Sequence, residues 1–543
     1  MNFHNLRSYI SRLTKPIPSL FGRGARVLWI AASLLWRTTL ANLILSILLF
    51  GQQQPGVLAS QSNQATQLPT SGHNTQSSGT VNAQQSTLQG QGASVVQPSV
   101  QVSGSFSGST LGSELPAGEI KLSLSQAVNR GLGVNLGSIT AENSSQTARA
   151  QRAQALSQLL PQISANLGAT ETQINLAAYG LNAIGGGIAG FPTVVGPFHY
   201  VQAQGNVSWN AFNLTQIRNY QSSKELERAS GFDLRNAREL VVLAVGGTYL
   251  QVVADQAQVD SQRTQVKYAQ AVYDQSVTRL SAGTNTRIDV TRSRVQLQTE
   301  QERLISLEAD LKQQKITLAR LIGIPLDREL VLTEPFGYNE LQTVDEPGAL
   351  RSAFDHRSDL RAAAAQLKAA ERTLAAARAE RYPTVSASGD YGAIGVSPEN
   401  SHGVFTATAS VNIPIYTGGR IHADMQQADA SLKQRQSEYQ DEKSQVEQDV
   451  RNALIQLQTA IGQTRLADSN RKFALETLTQ ARDRFEAGVT NTVEVVQAQQ
   501  QESSAESDYV SSLFAFNLAR LTLARATGEA EANVGTLFTG AHP

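Results

Sequence analysis

Two stretches of the chain set the same kinds of side chain at the same spacing. RLSAGTNTRIDV begins at Arg279 and RFEAGVTNTVEV at Arg484, and in each the arginine stands ten residues before a carboxylate, Asp289 or Glu494. Between them lie Gly283 or Gly488, the residue type that ends a helix in the left-handed conformation. Thr286 or Asn491 stands three residues before the acid, as in a capping box. This chemistry is helix capping and charge placement rather than bond making. Candidates for covalent chemistry are weak. GGGIAG at 185–190 matches the dinucleotide fingerprint in letters, but it neither follows a βαβ-type strand nor opens a helix. His199, His356, His402 and His422 are isolated, with no metal-ligand spacing. The chain has no cysteine, which excludes disulfides, thiolate metal sites and a cysteine nucleophile. No nucleophile, base and oxyanion-donor set is visible. The reading is a non-enzyme that needs no cofactor or metal.

The elements that position the two acids are themselves duplicated. Residues 279–323 align without a gap on 484–528 at an offset of 205 (484 minus 279), with 11 of 45 positions identical. The identities gather at Arg279/Arg484, Ala282/Ala487, Gly283/Gly488 and Val290/Val495. They gather again at Thr317-Leu318-Ala319-Arg320 against Thr522-Leu523-Ala524-Arg525. Such internal repetition governs the whole fold argument. Each copy reads as a helical hairpin whose tip is the repeated turn, about 282–288 in the first and 488–492 in the second. Upstream, 214–281 and 419–487 are free of proline and predict helices on the order of 100 Å long. Downstream, shorter helices are expected over 287–322 and 492–527. Leu432, Tyr439, Val446, Ala453 and Ala460 recur every seventh residue, with Val450 and Leu457 between them, as in a coiled-coil seam.

Beyond Pro161 and Pro383 the pattern changes to period two, predicting strands at about 162–173, 199–212, 384–394 and 403–416. Their length and alternation fit membrane barrel strands, and equally a half-buried soluble hairpin. Four strands do not close a lumen, so open edges call for partner subunits; two copies give eight strands and three give twelve. Residues 174–198 read as a long external loop.

The ends of the chain carry their own signals. A basic lead-in and the apolar run Leu40–Phe50 predict a signal peptide, 1–59, cut after Ala59. No charged residue occurs between Thr38 and Ser113, and 60–119, rich in Gln, Ser and Gly, is expected to lack fixed structure. Ordered structure is expected from Ile120, with a first repeat at 120–325, a connection at 326–358, a second repeat at 359–530 and a tail at 531–543. Lys plus Arg and Asp plus Glu are both 45, so no net charge favours nucleic acid.

A signal peptide followed by two copies of helix, strand, strand, very long helix and shorter helix, with AGT...ID and AGV...VE tips, resembles the TolC family of outer-membrane efflux proteins over residues 120–530. TGGR at Thr417–Arg420 looks like that family's strand-to-helix entry; the first-copy NLTQIR lacks the glycine pair. The resemblance implies a mainly α protein with a membrane β-barrel, a homotrimer forming a twelve-stranded barrel in outer-membrane lipid, continued by a periplasmic α-helical barrel. It implies a passive duct of a tripartite efflux pump or type I secretion system, exporting small molecules or proteins. A periplasmic adaptor (membrane fusion protein) and an inner-membrane transporter would supply the coupling and the energy. Six tips would meet in one ring, as gate and adaptor-docking surface built from Arg279, Gly283, Thr286, Asp289, Arg484, Phe485, Gly488, Thr490, Asn491, Glu494 and Gln497. Asp289 matches the family's acid in the first tip and Glu494 the first of two acids in the second. Gln497 is neutral where the second acid stands, Phe485 replaces a tyrosine and Thr490 an arginine. Three Glu494 carboxylates around a narrow neck would repel one another and favour cations; the alternative is that Asp289 and Glu494 only cap helix starts. Two rival classes remain at this stage, a stand-alone porin and a non-conducting coiled-coil surface protein.

Overall fold

The computed structural model describes residues 81–90, 93–111, 118–176, 194–334 and 345–532. The expected signal peptide, the GGGIAG run and the tail from 533 lie outside them. The first elements are a β-hairpin, β1 (Val81–Gly90) and β2 (Ala93–Val102), then a 3-10 turn at Gly104–Ser107. Over these residues this corrects the expectation of no fixed structure for 60–119; the rest of that span, 60–80, 91–92 and 112–117, lies outside the described residues. Val100 and Val102 pack on the main apolar cluster and Phe106 is 1% exposed. A composition argument averages over such a segment and misses a few apolar residues set at period two onto a surface that other elements have already built.

β3 (Ile120–Leu122) pairs in parallel with β6 (Leu330–Leu332). Ser123 then caps α1 (Leu124–Val134) with a reciprocal Gln126 box, and α2 (Leu136–Ser157) follows after the buried Asn135. β4 (Gln162–Asn175) and β5 (Val194–Phe212) form an antiparallel pair, after which α3 (Leu214–Ser281) and α4 (Arg287–Leu321) complete the first copy. The second copy repeats the order in α5 (Glu346–His356), α6 (Ser358–Ala379), β7 (Thr384–Gly395), β8 (Ser401–Asn412), α7 (Arg420–Glu486) and α8 (Thr492–Ala526). α3 starts on the Asn213 side chain, whereas α7 starts after Gly418 and Gly419, both at positive φ. β8 stops at Asn412 rather than near 416, because Pro414 has no N–H to donate to a ladder.

The sheet order is β4-β5-β7-β8, all antiparallel, so the two copies join through β5 and β7 while β4 and β8 are edges. Apolar side chains of the strands stand in the open, Ile163 at 79% exposure, Leu167 at 82% and Phe405 at 78%. The main core lies midway along α3, where Val241–Val245, Tyr249 and Leu250 meet α1, the end of α4 and Phe514, Leu518 and Leu521 of α8. The coiled-coil seam is real: Val446, Val450, Ala453, Leu457 and Ala460 are buried along α7.

Candidate functional site

Each tip is a helix end, a glycine and a new helix start. Gly283 and Gly488 both have φ of 74°, the left-handed region in which a side chain is strained. The turns close alike: Thr284 N donates to Arg279 O at 2.9 Å, and Val489 N to Arg484 O at 3.0 Å. The helix starts then diverge. Thr286 and Asp289 form a full capping box, each backbone N–H donating to the other's side chain, and Arg292 lies 3.9 Å from Asp289. Asn491 accepts from Val493 N at 3.0 Å and Glu494 N at 3.3 Å, but Glu494 does not return the bond. Its carboxylate takes the Thr490 hydroxyl and sits 3.4 Å from Arg484. The expected second box is therefore half a box, because a glutamate is one methylene longer and a cation stands within its reach.

The two tips are tied together inside one chain. Arg279 donates to Phe485 O at 2.5 Å and Glu486 O at 3.3 Å, the last carbonyls of α7, where a cation also meets the negative end of the helix dipole. Its guanidinium lies 4.1 Å from the centre of the Phe485 ring, which is 3% exposed among Val272 and Val495. Further up, Arg482 stacks on Tyr268 at 4.0 Å, Gln265 donates to Glu502, and Gln500 to Gln296 at 3.3 Å. Burial pushes the Glu502 carboxyl up, partly opposed by the Gln265 hydrogen bond. Gln497 lines a groove of about 440 Å³ between the starts of α4 and α8, with Ile288, Val295, Val493 and Val496.

A second polar cluster escaped the sequence reading. Where α5 meets α6, Arg357 binds Asp359 at 2.6 Å and Asp449 of α7 at 2.7 Å. Arg525 of α8 binds Glu239 of α3 at 3.1 Å and Asp359 at 3.2 Å, and also holds Asn236. Burial raises the Asp359 carboxyl, but the Arg357 hydrogen bond and the charges of Arg525 and Arg357 outweigh it and hold it at about 2. Burial pushes Glu239 up against the opposing charge of Arg525, and burial followed by the charge of Asp359 lifts Asp233 to about 6. The signal available in sequence was Arg525 itself, last residue of the second Thr-Leu-Ala-Arg. Nothing in the linear pattern distinguished it from Arg320, which lies exposed.

This arrangement of long hairpins, shared sheet and twinned tips has close counterparts. The model of the outer membrane efflux protein family matches residues 140–324 and 349–529, one match to each repeat. The chain belongs to that family. Membership places it at the outer membrane. The pyoverdine export outer membrane protein OpmQ of Pseudomonas aeruginosa is 30% identical over 208 residues, 38% of this chain and 44% of that protein. The toluene efflux pump outer membrane protein TtgF of Pseudomonas putida is 24% identical over 318 residues, 54% of this chain and 62% of that protein. The chain thus spans about half the length of these relatives. Among solved structures, the CmeC outer membrane channel of Campylobacter jejuni superposes with a TM-score of 0.66 at 16% identity, covering 77% of this chain and 90% of that one. VceC of Vibrio cholerae gives 0.63 at 18% identity, covering 75% and 96%. At these identities the likeness establishes the fold.

Proposed function

We propose that this chain is the outer-membrane exit duct of an export pump, three copies closing head to tail into a twelve-stranded barrel in lipid continued by a periplasmic helical barrel. The observation that carries the reading is a four-stranded sheet with both edges open and apolar side chains outward, joined by helices about 100 Å long to paired tips. The relatives named above are proteins of export and efflux systems, which favours an energised pump or secretion system over a free porin. In this reading an inner-membrane transporter supplies energy, and a periplasmic adaptor docks its own helical hairpins at the tips. The groove lined by Ile288, Val295, Val493, Val496 and Gln497 offers it an apolar seat. The exported cargo is small molecules or proteins.

In this reading the repeat supplies a register in which copies would join. β4 corresponds to β7 at an offset of 222 (383 minus 161, the two prolines), and β5 to β8 at 204 (412 minus 208, the partners of Gln162 and Thr384). Within the chain Val207 faces Gly389 across β5 and β7. Carried through the two offsets, Val411 (207 plus 204) faces Leu167 (389 minus 222) of the next copy. The same register sets Ala409 against Ala169 and Ile413 against Ala165 on one face, and Thr408 against Thr170 and Asn412 against Asn166 on the other. Apolar meets apolar and polar meets polar, as a barrel with one lipid face requires.

Two measurements test this. Electron microscopy of the protein extracted from outer membranes should give a three-fold particle with a stalk of about 100 Å below the detergent belt; a soluble rod, or a barrel without a stalk, would sink the reading. Oxidation of a Val411→Cys, Leu167→Cys chain should yield covalent trimers, while Val411→Cys with Asn166→Cys, one residue out of register, should not. For the gate, a Glu494→Gln channel that keeps the parent's cation preference leaves Glu494 as a helix-start residue only.

A further inference from the structure

The polar face of the sheet carries one carboxylate. Exposed apolar side chains mark the other face, with Tyr391 75% and Phe405 78% exposed, and strand alternation turns Asp390 and Thr406 away from them. The register sets Ser164, Asn206, Asp390 and Thr406 in one row across β4, β5, β7 and β8. These four strands contain no lysine or arginine, and their acids are Asp390 and Glu171. Glu171 lies on the apolar face, directly opposite His199. Asp390 has no such neighbour. Gln204, Asn206, Ser208, Ser388, Thr406 and Thr408 surround it on the polar face and are all neutral, and His402 lies two same-face positions farther from the helices. Among the described residues the Asp390 carboxylate has no hydrogen bond and no ion pair.

Repetition does not supply a second such group. The first-repeat match of Asp390, at the offset of 222, is Gly168 (390 minus 222). A ring of three copies therefore holds three carboxylates inside the barrel. The tips hold acids too, but their charge is compensated. Glu494 has Arg484 at 3.4 Å and takes the Thr490 hydroxyl, Asp289 is engaged in its capping box near Arg292, and Gln497 is neutral. We propose that Asp390 sets the charge preference of the duct from inside the β-barrel, favouring cationic over anionic cargo of the same size independently of the tips. The inference rests on the ring described under Proposed function. A water-filled bore with a low-dielectric wall confines the field of an uncompensated charge to the water, where it acts on whatever passes; a paired charge has little field left to act. Salt sets the reach, about 10 Å at 0.1 M and 3 Å at 1 M. The preference is therefore strong in dilute salt and fades in concentrated salt.

The chain lacks cysteine, so an introduced thiol reads the local potential without background. Directly opposite residues have Cβ atoms about 5 Å apart, which places a thiol at 406 within the field of Asp390. In the full-length protein in outer membranes, Thr406→Cys is treated with a trimethylammonium methanethiosulfonate and with its sulfonate analogue, at about pH 8, where imidazole is neutral. Adding Asp390→Asn should lower the ratio of cationic to anionic rates by roughly three- to tenfold at 0.1 M salt and by less than about twofold at 1 M. A ratio that Asp390→Asn does not move at 0.1 M overturns the inference. Phe405→Cys, on the other face, should stay unmodified; its modification with Thr406→Cys left unreactive overturns the face assignment and the ring reading with it. In planar bilayers at 0.1 M salt, Asp390→Asn should lose most of the parent's cation preference and Glu494→Gln should keep it. The opposite pattern overturns the assignment of the preference to the barrel.

Discussion

Replacing Arg525 with alanine should loosen the joint at which α3, α6 and α8 meet. Its side chain is 11% exposed and that of its partner Glu239 is 7% exposed, so the pair is screened little by water. After the substitution Asp359 keeps Arg357 at 2.6 Å, while Glu239 keeps only the Ser358 hydroxyl at 3.5 Å. One buried carboxylate is orphaned rather than two. Breaking a buried pair costs about 3–5 kcal/mol, and the nearby Arg357 reduces this to about 2–4 kcal/mol at neutral pH. The cost should shrink as pH falls, because burial already pushes Glu239 up and the orphaned group then takes a proton more readily. The assay is hydrogen exchange of the detergent-solubilised protein, followed over the C-terminal turns of α8 and the start of α6. A loss of 2–4 kcal/mol speeds local opening by roughly 30- to 700-fold. Glu239→Gln combined with Arg525→Ala should recover part of the loss, with a coupling of about 1 kcal/mol or more. Exchange unchanged in Arg525→Ala, or effects that simply add in the double variant, would refute the claim that this ion cluster holds the joint.

Three other perturbations follow from the packing. Asp233 has a folded pKa of about 6 against 3.8, so the folded chain binds more protons between those values. Its contribution is fully present below the unfolded value and is lost as pH rises through about 6. Asp233→Asn should therefore flatten the stability profile between pH 4 and 6 by about 2 kcal/mol, as read by chemical unfolding at each pH. A Cβ at Gly137 would lie 2.3 Å from the Phe106 ring, so Gly137→Ala should expel Phe106 at a net cost of about 1–2 kcal/mol. Limited proteolysis across 81–110 should then be faster than in the parent. Phe485→Ala removes a 3% exposed ring and the seat of Arg279, at about 3 kcal/mol, and should speed exchange at both tips together rather than at the second alone.

The order of elements was legible because each left a periodic or terminal mark. α3 and α7 match the expected spans 214–281 and 419–487 to within a residue at each end, and both tips turn at the repeated glycine. The capping residues Thr286 and Asn491 were legible too, being local chemistry within one turn. The hairpin at 81–102 was not, since its stability comes from surfaces contributed by α3 and α8 hundreds of residues away.

What sequence determined by itself, then, is whatever depends on neighbours within a few residues or on exact repetition: helix, strand, cap, turn and the existence of two copies. What tertiary structure alone decided is the fate of residues that repetition makes look equal. Arg320 and Arg525 end the same Thr-Leu-Ala-Arg, yet only Arg525 enters a buried ion cluster. Asn135 and Arg357 sit at matching helix junctions, 222 apart (357 minus 135), yet Asn135 binds the carbonyls of Phe106 and Leu321 while Arg357 binds two carboxylates. Arg279 crosses to the other tip and Arg484 does not. The physical reason is that the charge and hydrogen-bonding groups facing a side chain come from elements far away in the chain, and duplication copies a residue without copying its surroundings.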